Sequence, residues 1–401
     1  MLRAAAHPAP LPARRLPAES SLLMEQPRIY LLEGQEPASA LWRAENGAPA
    51  PKRVIIADDT MTADTAFRLA SEGVGLLWRS DFGNARQMLQ ALMRRVDKPR
   101  KSKRKPAAPD TAPGAVFHRH RQAQAQRAHT LSMLLIPFDA DYTIPLGRAP
   151  DVREACAEAW GPGSEHCVAS LRELLGVIGA HEWRKKGVAV EALGARIHPH
   201  YGVFAPIRSE YVGLVAGAPL PAATLAFDIG TGTGVLAALL AKCGLERVVA
   251  TENDPRALAC ARDNIERLGY AGKVDVVEAD LFPEDCAPLI VCNPPWIPST
   301  PGAPIERAVY DQGSRMLKGF LDGLAGHLEP GGEGWLILSD IAEHLGLRTR
   351  ADLLSWIEAA GLVVIDSKSA RPGHPKARDP DDPLHAARSR EMTTLWRLGV
   401  R

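Results

Sequence analysis

Leu225-Ala-Phe-Asp-Ile-Gly-Thr-Gly-Thr-Gly-Val-Leu-Ala-Ala-Leu-Leu-Ala241 decides the fold. Its first residues form an apolar run the length of a buried strand. Gly230, Gly232 and Gly234 make a turn, and the alanine- and leucine-rich remainder reads as a helix. Glycines there allow a tight turn and let the backbone approach a ligand that a Cβ would exclude. A second strand, Arg247-Val-Val-Ala-Thr, ends at Glu252, twenty-four residues after Asp228. An acid at that point can accept both hydroxyls of a ribose.

Two cofactor classes compete for this arrangement. A dinucleotide site reads G-x-G-x-x-G, with a helix N-terminus facing the pyrophosphate. Here the pattern is Asp228-x-Gly-x-Gly-x-Gly, with a carboxylate at the strand end. A negative group is unwelcome beside a pyrophosphate and suits an ammonium and a sulfonium, the charges of S-adenosylmethionine. Asn293-Pro294-Pro295-Trp296 tips the balance the same way. It follows Ala287-Pro-Leu-Ile-Val-Cys, a fourth strand, and so falls at the carboxyl edge of a parallel sheet. The two prolines stiffen the loop and remove two backbone donors. The Asn293 amide oxygen and the Pro294 carbonyl can then take the two hydrogens of an –NH2 group, and Trp296 offers a flat face to a planar amide or base. A conjugated nitrogen must lose planarity before its lone pair can attack a sulfonium methyl, and two fixed acceptors favour that geometry.

With these motifs in place, residues from about 200 to 401 resemble the class I methyltransferases of the small-methyltransferase-domain type. That group includes release-factor glutamine N5-methyltransferases and ribosomal RNA guanine and adenine N-methyltransferases. The resemblance implies a Rossmann-like seven-stranded sheet with an antiparallel last strand. It also implies a cofactor site of Asp228, Gly230, Thr231, Gly232, Gly234, Glu252, Asn253, Asp280, Leu281 and Asn293, and a catalytic loop of Asn293, Pro294, Pro295 and Trp296. Val203-Phe-Ala-Pro-Ile-Arg-Ser-Glu210 is similar to the segment that lies over the cofactor in the glutamine enzymes, with a different Arg/Glu spacing. Leu362-Val-Val-Ile-Asp-Ser and Met392-Thr-Thr-Leu-Trp-Arg-Leu read as the sixth and seventh strands, joined through a polar loop at 370–390.

The first half is less explicit. Residues 1–27 read as a Pro/Ala-rich disordered leader, 28–97 as a small α/β domain, and 98–116 as a basic Pro/Ala-rich linker. Residues 117–200 read as a mostly helical connecting region before a methyltransferase domain at 201–401. Within it, helices are expected over Phe117–Leu135, Val152–Trp160 and Glu165–Ile178. The small domain lacks a glycine turn after its first strand, where Ala57-Asp-Asp-Thr follows, so no cofactor is expected there. It looks more like the first half of the two-domain ribosomal RNA enzymes than the short helical bundle of the glutamine enzymes.

Charge and cysteine content narrow the partners. Lys+Arg is 48 against Asp+Glu 47, so only local clusters can steer a ligand. The main cluster is Lys98, Arg100, Lys101, Lys103, Arg104 and Lys105, followed by His118, Arg119, His120, Arg121 and Arg127. Such a run is a solvated loop or a phosphate-contacting arm. None of the six cysteines forms a C-x-x-C pair, which fits buried free thiols in a cytoplasmic protein. The pairs His118/His120 and His198/His200 have no ligand-spaced neighbours, and no metal is expected. No apolar run reaches the length of a membrane span.

The expected activity is methyl transfer to an amino or amide nitrogen of a macromolecule, with ribosomal RNA first and a protein glutamine second. A small-molecule N-methyltransferase with residues 28–200 as a lid is a third possibility. A non-catalytic RNA-binding or assembly protein is a fourth, and it has no physical need for both Asn293 and Glu252.

Overall fold

A computed structural model describes residues 27–33, 36–98, 112–222, 224–373 and 379–401. The expected leader, apart from Pro27, and most of the basic linker lie outside the described residues. The chain builds two sheets in succession.

The first is formed by β1 Arg28–Glu33, β2 Glu36–Arg43, β3 Arg53–Ala57, β4 Val74–Trp78, β5 Leu134–Phe138 and β6 Cys167–Ser170. Its six strands run in the order β1-β2-β6-β5-β4-β3. Helices α1 Ala63–Ser71, α2 Phe82–Val96, α3 Pro113–Leu131, α4 Arg153–Trp160 and α5 Leu171–Lys186 belong to this half. Local chemistry starts several of them. Thr62 accepts from the Thr65 N–H, Asp81 from Gly83 and Asn84, and Ser170 from Glu173, each covering donors left open by the first turn.

This sheet corrects the expected division at residue 117. Segments 28–97 and 117–200 share one sheet and one core, in which Leu76 and Trp78 pack with Leu134, Ile136, Cys167 and Ala169. The helix expected over Phe117–Leu135 starts earlier, with Pro113 in its first turn, and ends at Leu131, because Leu134 and Leu135 enter a strand. The helix expected over Glu165–Ile178 likewise starts only at Leu171, after the four strand residues Cys167–Ser170. Both strands are buried on both faces, and a short apolar run without alternation does not separate strand from helix.

A two-stranded hairpin, β7 Val188–Val190 and β8 Ala195–Ile197, leads into the second half. There the chain alternates through α6 Glu210–Ala216, β9 Leu225–Ile229, α7 Val235–Lys242, β10 Arg247–Glu252, α8 Pro255–Arg267, β11 Val274–Glu278 and β12 Ala287–Cys292. It finishes with α9 Arg315–His327, β13 Leu328–Ser339, α10 Ile341–His344, α11 Arg350–Ala359, β14 Leu362–Ala370, α12 His385–Arg388 and β15 Thr393–Val400.

The seven strands lie in the order β11-β10-β9-β12-β13-β15-β14, with β15 antiparallel to both neighbours. From β9 the chain winds outward to β10 and β11, then returns to β12 and winds the other way. The order therefore reverses between β9 and β12, and a crevice opens at their carboxyl ends. Apolar layers fill both faces, one around Leu236, Leu240 and Trp335, the other around Phe227, Phe320 and Leu336.

The halves are tied together. Arg256 on α8 donates to Glu45 at 2.6 Å and to the Ala159 carbonyl at 3.2 Å. Phe117 on α3 is buried with Ile341, Leu345, Leu384 and Ala387. No described helix is long and apolar enough to cross a membrane.

Candidate functional site

The glycine turn between β9 and α7 forms the floor of the crevice. Gly230 sits at φ +68°, a conformation that favours glycine, and a Cβ there would push against the tip of the Met316 side chain on α9. Gly232, at φ +58°, faces open space, so its backbone can be approached closely. Gly234 is the left-handed residue that starts α7. Asp228 is buried under this turn. Its Oδ2 accepts from the Thr231 hydroxyl at 2.6 Å and the Ala237 N–H at 3.0 Å. Burial raises its carboxyl to about 6 and nearby Glu252 adds to the rise, against the pull of those two hydrogen bonds.

The next wall is the carboxyl end of β10. Glu252 Oε2 accepts from the Gly232 N–H at 3.1 Å, and Oε1 accepts from the N–H groups of Asn253 and Asp254. The carboxylate thus braces the glycine turn, and each oxygen keeps acceptor capacity. Asn253 donates to Asp280 at 3.1 Å, joining the ends of β10 and β11. Leu281, beside Asp280, sits at φ +72°, a costly conformation for a leucine. Its carbonyl is held by the Thr251 hydroxyl at 2.6 Å.

At the end of β12, Asn293 through Trp296 close the opposite side. Trp296 Nε1–H donates to Asn293 Oδ1 at 2.9 Å. The Arg208 guanidinium lies over the indole, 4.8 Å from its centroid. The flat face expected to receive a planar acceptor is therefore covered on that side. Arg208 is itself held by Glu210 at 2.8 Å and Glu391 at 2.9 Å.

One cavity of about 1360 Å³ collects these groups. Asp228, Gly230, Thr231, Gly232, Glu252, Asn253, Asp280, Leu281, Asn293, Pro294, Pro295 and Trp296 all line it. Gly234 does not. It serves the helix start instead.

Several lining residues were not predicted to belong here. Phe117 and His120 come from α3, Tyr310 from the segment after the Asn-Pro-Pro-Trp loop, Met316 from α9 and Glu391 from the turn before β15, while Arg388, at the end of α12, belongs to the polar 370–390 loop where the sequence allows substrate contacts. Arg121 on α3 fixes that segment, donating to Glu306 at 3.2 Å and to the Thr300 carbonyl at 3.1 Å, with its guanidinium 4.2 Å over the Tyr310 ring. Their contacts are with residues distant in sequence, and no local pattern carries them. Val203, Phe204 and Arg208, all in the quoted Val203–Glu210 segment, line the cavity as well.

The other candidates have structural partners. His198 Nδ1 lies 2.6 Å from the Arg184 carbonyl, and His200 Nε2 lies 3.1 Å from Asp263. Among the described residues, no cluster of three or more metal-ligating side chains is present. All six cysteines are free, with Cys243 and Cys286 exposed.

The residues fit S-adenosylmethionine. An open left-handed glycine lies between a buried carboxylate at the strand end and two carboxylates on the adjoining wall, matching an amino acid at one end and a nucleoside at the other. Sheet order and crevice together define a class I, S-adenosylmethionine-dependent methyltransferase fold. More narrowly, residues 196–350 match the model of the methyltransferase small domain.

Three relatives bracket the similarity. The chain is 39% identical over 143 residues to the ribosomal protein L11 methyltransferase of Pelotomaculum thermopropionicum, covering 35% of this chain and 38% of that protein. It is 37% identical over 123 residues to the release factor glutamine methyltransferase of Moorella thermoacetica, covering 26% and 42%. It is 37% identical over 97 residues to the tRNA1(Val) (adenine(37)-N6)-methyltransferase of Histophilus somni, covering 22% and 41%. The chain spans less than half the length of each of these relatives.

Proposed function

We propose that the protein is an N-methyltransferase acting on an amino or amide nitrogen of a macromolecule of the translation apparatus, in the cytoplasm. The observation that carries this function is the shared cavity. The glycine turn with Asp228 and Glu252 opens into the same space as Asn293 and Pro294.

Asp228, Gly230, Thr231 and Gly232 would hold the amino-acid end of S-adenosylmethionine, and Glu252, Asn253, Asp280 and Leu281 its nucleoside. When bound, the cofactor supplies an electrophilic methyl group on a sulfonium. Asn293 Oδ1 and the Pro294 carbonyl accept the hydrogens of the acceptor –NH2, orient its lone pair and disfavour its conjugated, planar form. The rigid prolines hold both oxygens in place.

An RNA base is the first acceptor, because the Lys98–Lys105 run stands seven residues before α3, which gives Phe117 and His120 to the cavity wall. A protein amide is the second. It is favoured by the use of α3 charges inside the protein, Arg121 on Glu306 and Arg127 on Asp97 at 2.7 Å. Incubation with methyl-labelled cofactor, separately with ribosomal RNA, ribosomal proteins and release factors, tests both. Label in an RNA nucleoside supports the first and label in a protein side chain the second. Label in none of them removes the function.

A further inference from the structure

Trp296 occupies the last position of the Asn-Pro-Pro-Trp loop, where an aromatic ring is expected to stack on a flat acceptor. Its surroundings assign it different work. The Nε1–H donates to Asn293 Oδ1 at 2.9 Å, and Arg208 covers one ring face. The indole is also packed against apolar residues from both faces of the sheet and from the Phe117 cluster.

Arg208 is built in as well. Its guanidinium is bound by Glu210 and by Glu391, which is 5% exposed. Glu391 Oε1 also accepts from the Ser339 hydroxyl at 2.6 Å, at the end of β13. Glu210 Oε1 accepts from Thr393 at 3.3 Å, at the start of β15. A continuous chain of contacts thus runs from two strand ends through Arg208 and Trp296 to the Asn293 amide.

An asparagine amide has two nearly isosteric ends, one an acceptor and one a donor. If it turned over, its NH2 would face the hydrogens of an incoming –NH2, donor against donor. Indole N–H is a donor only, so it is satisfied by Oδ1 and left unpaired by Nδ2. Phenylalanine has no donor, and tyrosine can donate or accept. Tryptophan alone among the three distinguishes the two ends of the amide.

We infer that Trp296 is a positioning residue that locks Asn293 with its oxygen toward the acceptor, and that Arg208, fixed by Glu391 and Glu210, holds the indole in place for this task. The inference rests on the proposed N-methyl transfer for its kinetic consequence and on the indole hydrogen bond alone for its spectroscopic one. Oδ1 has a second lone pair, so the indole bond leaves one for the acceptor.

Trp296→Phe separates positioning from stacking, since it keeps an aromatic face and loses the donor. Expected is a fall in kcat of about tenfold, the scale of one oriented hydrogen bond, with KM for the acceptor and calorimetric cofactor affinity unchanged. In an Asn293→Ala background the same change should have no further effect, because the bond is already gone. Unchanged kcat, or a raised acceptor KM with kcat intact, would overturn the inference.

A second readout needs no turnover. In protein labelled with 15N at the tryptophan indoles, the resonance lost in Trp296→Phe should move on Asn293→Ala. A resonance that stays put means the bond is absent and the inference fails. If the wild type methylates no acceptor but that resonance moves, the proposed reaction has failed and the locked amide stands.

Discussion

The two sheets of this protein are both α/β assemblies with buried central strands, and among the described residues the large cavity lies against the C-terminal one. In the C-terminal sheet the strand order reverses between β9 and β12, and a glycine turn follows β9. In the N-terminal sheet β3, β4, β5 and β6 lie side by side in chain order, so no such reversal opens a crevice between them. The residues after β3 are Asp58, Asp59 and Thr60, and Asp58 accepts from the backbone and hydroxyl of Thr60 in a closed turn. A parallel sheet supplies the scaffold. Reversal of order and an approachable backbone make it a binding site.

Each half also holds a carboxyl group with a raised pKa. Asp228 lines the cavity and Glu173 does not, so one should answer to ligand and the other to stability alone. The largest effect that separates the halves is chemical. Asn293→Ala should lower turnover by about a hundredfold or more while sparing cofactor affinity, measured by steady-state kinetics and calorimetry. No N-terminal residue outside the cavity wall should match it.

The second effect is a pH dependence of cofactor binding. Burial lifts the Asp228 carboxyl to about 6 in the free protein, and the ammonium of a bound cofactor favours the ionised form. Below pH 6 a proton must leave before binding. The dissociation constant should then rise by up to about tenfold per pH unit, as one linked proton requires. Asp228→Asn should flatten that slope, and an unchanged slope in this variant would assign the dependence to another group.

Smaller still is the effect of loosening the wall that the N-terminal half lends to the site. Arg121→Ala removes a half-buried ion pair and a cation–π contact, together worth about 1 kcal/mol. The acceptor KM should rise by about threefold to fivefold, with cofactor affinity unaffected. A change in cofactor affinity instead would mean that α3 shapes the other end of the cavity.

Smallest is the response of Glu173. Burial raises its carboxyl to about 7, so the folded state holds this proton more tightly than the unfolded chain does. The stabilisation is complete below the ordinary glutamate value and is lost as pH rises through about 7. Glu173→Gln should therefore raise Tm by about 2 °C at pH 8 and by less at pH 5, with kinetics unchanged. A kinetic effect would blur the contrast between the halves.

The same contrast explains what the sequence disclosed. In the C-terminal half the signals are local: glycines at a turn, an acid at a strand end, two prolines after an apolar run. Asp228, Glu252 and Asn293 are legible from motif and spacing, Asp280 only through the family resemblance, and all four line one cavity. In the N-terminal half, β5 and β6 are uniformly buried runs with no alternation to mark them as strands. The role of α3 was hidden for another reason. Its Arg and His residues suggest a solvent-facing arm, whereas the burial of Phe117 depends on residues more than two hundred positions away. The indole bond to Asn293 was missed because a ring is read first for its face, and here the ring edge makes the bond.

Phe117 also limits how the molecule can be divided. Similarity to known enzymes marks 196–350 as though it were a portable cassette. Excising that stretch would bare the greasy side of Ile341 and Leu345 and strip one flank from the chamber. The neighbouring half serves here as masonry, and engineering that swaps either part must carry this seam along.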